Sequence, residues 1–84
     1  MITVLYFAGI KEKLGFARES VELPPGIRHV GALAASLRAR GEVWADALGG
    51  GANLKVAVNQ SMTSLDAVIK DGDEIAFFPP VTGG

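Results

Sequence analysis

The sequence contains no cysteine. Disulfides, thiolate metal sites, iron–sulfur clusters and a cysteine nucleophile are therefore excluded. Any sulfur this chain handles cannot sit on a side-chain thiol. There is a single histidine, His29, and no second histidine or cysteine with which it might share a metal. His29 reads as structural or solvent-exposed. A basic excess is missing too. Eight Lys and Arg against nine Asp and Glu leave a net charge of −1, whereas a nucleic-acid footprint needs a clear positive balance. Arg38 and Arg40 sit together, but at a helix end they most simply complement the dipole. No apolar run approaches the length of a membrane span. Met1 leads directly into an amphipathic strand pattern, with no secretory signal ahead of it. A cytoplasmic protein is the expectation.

What is present describes one small globular domain over residues 1–84. Apolar residues form 49% of the chain and charged residues 20%, which separates it from a disordered tail. A domain of this size buries only about 60–65% of its unfolded surface, so the core is modest.

Ile2 to Phe7 reads as a strand. Ala8 to Leu14 makes one or two helical turns closed by Gly15. Arg18 to Leu23 alternates, pairs antiparallel with the first strand, and stops at Pro24-Pro25-Gly26. Val30, Leu33, Ala34 and Leu37 then fall at helical spacing and form one apolar stripe. Arg38 and Arg40 occupy the last turn of that helix, and Gly41 is placed to take a left-handed cap. Its start is poorly marked, since neither Arg28 nor His29 is a strong N-cap. Glu42 to Leu48 is a candidate second short helix, with Trp44 at the core edge. Gly49-Gly50-Gly51 is a flexible loop that lacks the Lys-Ser/Thr of a phosphate cradle. Leu54 to Val58 alternates again, Asn59-Gln60 turns, and Ser61 to Val68 is irregular with room for a very short strand. Asp71-Gly72-Asp73 is a tight turn before a last strand, Glu74 to Phe78. The order β-β-α-β-β makes an α+β domain, a small mixed sheet covered on one face by one main helix.

The chain then runs Pro79-Pro80-Val81-Thr82-Gly83-Gly84. The prolines cannot donate to a ladder, so they stop the strand and hold the following residues extended. A flexible tail over 79–84 spans roughly 20 Å when extended. Gly83 and Gly84 have no Cβ, so a terminal carboxylate carried on them passes through a narrow channel and leaves its carbonyl carbon uncrowded. With 11 Gly in 84 residues, a terminal pair arises by chance about once in 60 such chains. The pair alone is a weak signal. Strand, Pro-Pro stop, short tail and Gly-Gly end together are a specific one.

Other side chains offer little chemistry. Asp71, Asp73 and Glu74 cluster around a glycine turn, where such residues serve turn geometry and solubility, and a calcium loop needs more ligands. Ser61, Thr63 and Ser64 have no evident base partner. The reactive group is the chain terminus, or there is none. The sheet adds one signal. With Ile2, Val4 and Tyr6 towards the helix, Leu5 and Phe7 face away. With Ile75 and Phe77 inward, Ala76 and Phe78 face away, as does Ala57. Loops covering these groups, or solitary exposed aromatics, are the plain reading. A partner-binding patch beside the tail is the sharper one, and two outward phenylalanines favour it.

The segments FFPPVTGG from Phe77 to Gly84, DGDEIAFF from Asp71 to Phe78, AVNQ from Ala57 to Gln60, and ITVLYFAGIKEKLG from Ile2 to Gly15 resemble the small subunits of molybdopterin synthase. These are the MoaD-type sulfur carriers. The resemblance covers essentially the whole chain and is tightest from Val56 onwards. It is loosest at Arg28-His29, where a Thr or Ser cap is expected, and in the glycine loop. It implies a ubiquitin-like β-grasp fold. It implies that Gly84 is adenylated by an ATP-using, MoeB-like activating enzyme and then converted to a thiocarboxylate with sulfur from a persulfide donor. No cofactor is bound by the chain itself. The tail, Pro79 to Gly84, would insert into a MoaE-like large subunit and give sulfur to cyclic pyranopterin monophosphate, forming molybdopterin. The family's usual assembly is a heterotetramer, two small subunits flanking a dimer of large ones. Residues matching Phe7, Met62 and Phe78 face the partners. A thiamine-type sulfur carrier, a ubiquitin-like modifier of lysines, and a plain β-grasp interaction module remain the alternatives.

Overall fold

The computed structural model describes residues 1–49 and 53–80. The elements run β1 (Ile2–Tyr6), α1 (Ala8–Leu14), β2 (Arg18–Val21), α2 (Val30–Arg38), α3 (Glu42–Ala47), β3 (Lys55–Val58), β4 (Ser61–Thr63) and β5 (Glu74–Phe78). The five strands form one mixed sheet in the order β2-β1-β5-β3-β4. β1 pairs antiparallel with β2 and parallel with β5, so the first and last strands lie side by side near the middle. This is the expected α+β arrangement: among the described residues α2 is the main helix, α1 and α3 are the two short ones, and β4 adds a fifth strand to the β-β-α-β-β order, in the segment read as irregular.

The helical stripe explains α2. Val30, Leu33, Ala34 and Leu37 are all buried, in one cluster with Ile2, Val4 and Tyr6 of β1 and with Ile75 and Phe77 of β5. Its start corrects the sequence reading. His29 is the N-cap after all, its Nδ1 accepting the Ala32 N–H at 3.2 Å. The next donors are taken by the β4–β5 connection: Val30 N–H donates to the Ala67 carbonyl and Gly31 N–H to that of Leu65. A Cβ at Gly31 would lie 3.3 Å from the Leu65 oxygen, so a residue without one fits this close approach. The other end differs too. α2 stops at Arg38 with Ala39 in right-handed geometry, and Gly41 begins α3 instead of capping α2. Arg40 therefore lies beyond the helix. It bonds Glu19 at 2.8 Å and stacks over Trp44, 4.5 Å from the ring centroid. The same carboxylate accepts the Tyr6 hydroxyl at 2.7 Å. Burial, reinforced by that bond to Glu19, pushes the Tyr6 phenol pKa up.

Gly15 closes α1 in the left-handed region, as its position suggests. Asn59 and Gln60 both have positive φ, 51° and 70°, the geometry that lets a two-residue turn follow the twist of its strands. Asp73 is more than a solubilising turn residue, because its side chain is buried. It accepts from Asn59 Nδ2, Lys70 N–H and Lys70 Nζ, tying the β3–β4 turn to the start of β5. The bond from Asn59, then that from the Lys70 N–H, holds its carboxyl below the usual carboxylate range.

Asp73→Ala should lower stability at neutral pH by about 1–3 kcal/mol, since it removes the buried acceptor of the Asn59 Nδ2 and Lys70 N–H bonds. A depressed carboxylate stabilises the fold above its unfolded value, near 4, and loses that contribution as pH falls through the folded value. Chemical denaturation of both proteins checks this. The gap between them should be constant from about pH 5 to about pH 7 and close below about pH 4; a gap independent of pH would contradict the assignment.

Candidate functional site

The sheet face opposite α2 carries the candidate site. Alternation places Ile2, Val4 and Tyr6 in the core while Thr3 and Leu5 stay half-buried on the other side. Ala57 and Ala76 are buried but do not join the core cluster. Register lines up Arg18, Leu5, Ala76, Ala57 and Met62 across all five strands. The outward parity read for Leu5, Phe7, Ala57, Ala76 and Phe78 holds.

The next row up holds the aromatics. Phe7 and Phe78 stack with centroids 4.6 Å apart and planes 9° from parallel. The parallel pairing brings them together, because β1 and β5 end at the same edge and Phe7 N–H donates to the Phe77 carbonyl. Phe7 is 40% exposed, while its core-facing neighbour Phe77 is fully buried. Ala8, at φ 50°, then turns the chain into α1 through the left-handed region. Met62 is 63% exposed. It lies one row away and two strands from Phe78, a lateral separation of about 10 Å. The face thus joins Phe7 and Phe78 directly and reaches Met62 across small alanines.

Pro79 and Pro80 leave this same edge half-buried. They border a cleft of about 320 Å³ between α1 and α3, with Gly9, Lys13, Asp46 and Gly49 on its walls. Lys13 Nζ and Asp46 Oδ2, 2.9 Å apart, clip the two helices together. Nothing in the sequence signalled that contact, since it joins two short helices far apart in the chain. Val81, Thr82, Gly83 and Gly84 lie outside the described residues, as do residues 50–52 of the glycine loop. Among the described residues there is no group of three or more His, Asp or Glu side chains placed to hold a metal, and no helix is long and apolar enough to cross a membrane.

The model of the ThiS family matches residues 4–84. The chain is 43% identical to the molybdopterin synthase sulfur carrier subunit of Haemophilus influenzae, over the whole of both chains. It is 45% identical to the subunit of that name from Escherichia coli K12, again over both whole chains. The chain belongs to the ThiS family, alongside the molybdopterin synthase sulfur carrier subunits. Solved structures agree on the ubiquitin-like β-grasp. SAMP1 from Haloferax volcanii superposes with a TM-score of 0.71 at 26% identity, covering 99% of this chain and 98% of that one. Subunits 1 and 2 of the molybdopterin-converting factor from Helicobacter pylori form a protein–protein complex. One chain of it superposes with a TM-score of 0.62 at 28% identity, covering 99% of this chain and 97% of that one.

The parity of the two faces is directly testable by unfolding. Phe77→Ala empties a core site and should cost about 3–5 kcal/mol. Phe7→Ala removes one stacked, exposed partner and should cost about 1 kcal/mol. Equal losses would mean that the faces are assigned backwards.

Proposed function

We propose that this chain is the sulfur carrier of a molybdopterin synthase, with Gly84 as the acyl terminus that bears the sulfur. The observation that carries the reading is the outward Phe7–Phe78 stack at the edge where the chain leaves β5 for Pro79 and Pro80. Full-length identity to subunits named for this role supports it. The large subunit docks on the aromatic pair and Met62, and the tail from Pro79 to Gly83 delivers the terminus to a pterin site on that subunit. The chain alone is not an enzyme.

The chemistry follows from the terminus. A carboxylate is a poor acyl donor. An activating enzyme spends ATP to form the Gly84 acyl adenylate, releasing pyrophosphate. A persulfide donor then attacks the carbonyl carbon and expels AMP, and a thiol cleaves the resulting acyl disulfide to a thiocarboxylate. In the large subunit that sulfur passes to cyclic pyranopterin monophosphate, and water cleaves the acyl–sulfur bond to return Gly84 to a carboxylate. ATP belongs to the activating partner, no cofactor is held by this chain, and the working assembly is a heterotetramer in the cytoplasm. Likeness to SAMP1, a small archaeal modifier protein, favours one second reading, a protein modifier; lysine adducts in host protein would mark it.

Single-turnover molybdopterin formation with chemically thiocarboxylated chains tests the reading and bypasses activation. Deleting Gly84 shortens the reach by about 3.3 Å. A misplacement of about 1 Å can cost on the order of 100-fold, so transfer should be abolished while folding and most partner affinity remain. Gly84→Ala should fall between, because its methyl crowds the acyl carbon. Transfer at the native rate from a thiocarboxylate on Gly83 would overturn the tethered-terminus mechanism.

A further inference from the structure

The aromatic edge of the outward face is flanked by two cations. Lys55 stands directly opposite Phe78 in the β3–β5 ladder, and Arg18 directly opposite Leu5 in the β1–β2 ladder. Cross-strand partners share a face with Cβ atoms about 5 Å apart. Both cations therefore project from the patch side. Both are exposed. Neither makes an ion pair among the described residues. β1 and β5 lie between their strands, which sets them about 14 Å apart across the sheet. Of the carboxylates near this face, Glu74 pairs with Thr3 at the opposite end of β5. Asp66 shares a cleft with Lys55, Thr63 and Ser64 but forms no ion pair with it.

Resting on the function proposed above, we infer that the large subunit presents acidic side chains to Arg18 and Lys55 on either side of its apolar seat for Phe7 and Phe78. The aromatic pair supplies contact area, which any apolar groove accepts equally well. The two cations supply what that area lacks, a fixed orientation and discrimination against partners with neutral or basic rims. Arg18 offers a planar fork suited to one carboxylate, and Lys55 a compact charge on a flexible stem. Charges at the edge of an interface act mainly on the encounter, so they set the association rate and its salt dependence more than the lifetime of the complex.

The experiment is stopped-flow association of the full chain with its host's own large subunit. It compares the native chain, Arg18→Glu, Lys55→Glu and the double variant. At about 0.01 M salt the screening length is about 30 Å, and at 1 M about 3 Å. At low salt the double reversal should associate about 10-fold or more slowly, with a nearly unchanged dissociation rate, and the difference should vanish at high salt. Thermal unfolding of each variant confirms that these exposed sites leave the fold intact. Native-like association of the double variant at low salt, with Phe78→Asp still abolishing the complex, overturns this inference and leaves the proposed function standing. Failure of the native chain to bind the large subunit overturns both.

Discussion

The parallel pairing of β1 with β5 is the constraint on which the rest of this molecule depends. It joins the first strand to the last across nearly the whole chain, with Val4 beside Ile75 and Tyr6 beside Phe77. Those inward side chains form the floor on which α2 packs. The same pairing brings the two strand ends to one edge. Phe7, Phe78, the start of α1 and the Pro-Pro exit are neighbours for that reason alone. A single backbone ladder therefore produces both the core and the candidate docking edge.

The two faces divide the work by parity. Each strand residue that enters the core commits its neighbours to the opposite side. Small residues at Ala57 and Ala76 keep that side flat between larger ones, so Leu5, Phe78 and Met62 stand on one broad surface. A sheet with helices on one face only exposes such a surface unless a partner covers it. Here the surface adjoins Pro79 and Pro80. Under the proposed function, one docking event would both bury apolar area and deliver the terminus, with affinity in the sheet and reactivity at Gly84.

Much of this was legible from the residues. Alternation gave the strands and their faces, and helical spacing gave α2, because each follows from a local period. The caps of α2 were not. His29 caps through a ring nitrogen, a weak choice in isolation, and the remaining donors are met by Leu65 and Ala67 from a distant connection. Gly41 was misread because a glycine after a helix also suits the entry to the next one. Asp73 looked like a surface turn residue, since nothing local reveals that Asn59 and Lys70 converge on it. Arg40 was assigned to a dipole when its partners, Glu19 and Trp44, come from other elements. Except at Gly41, where two local rules compete, a tertiary contact outweighed a local rule.

The central claim is that the chain terminus is the reactive group. Intact mass spectrometry of the chain purified from its own host, with the activating enzyme and sulfur donor present, tests this most directly. The account predicts replacement of one oxygen by sulfur, localised by fragmentation to Gly84 and lost when the activating enzyme is absent. A terminus that remains an unmodified carboxylate under every condition, or appears only as an adduct on lysines, would contradict it.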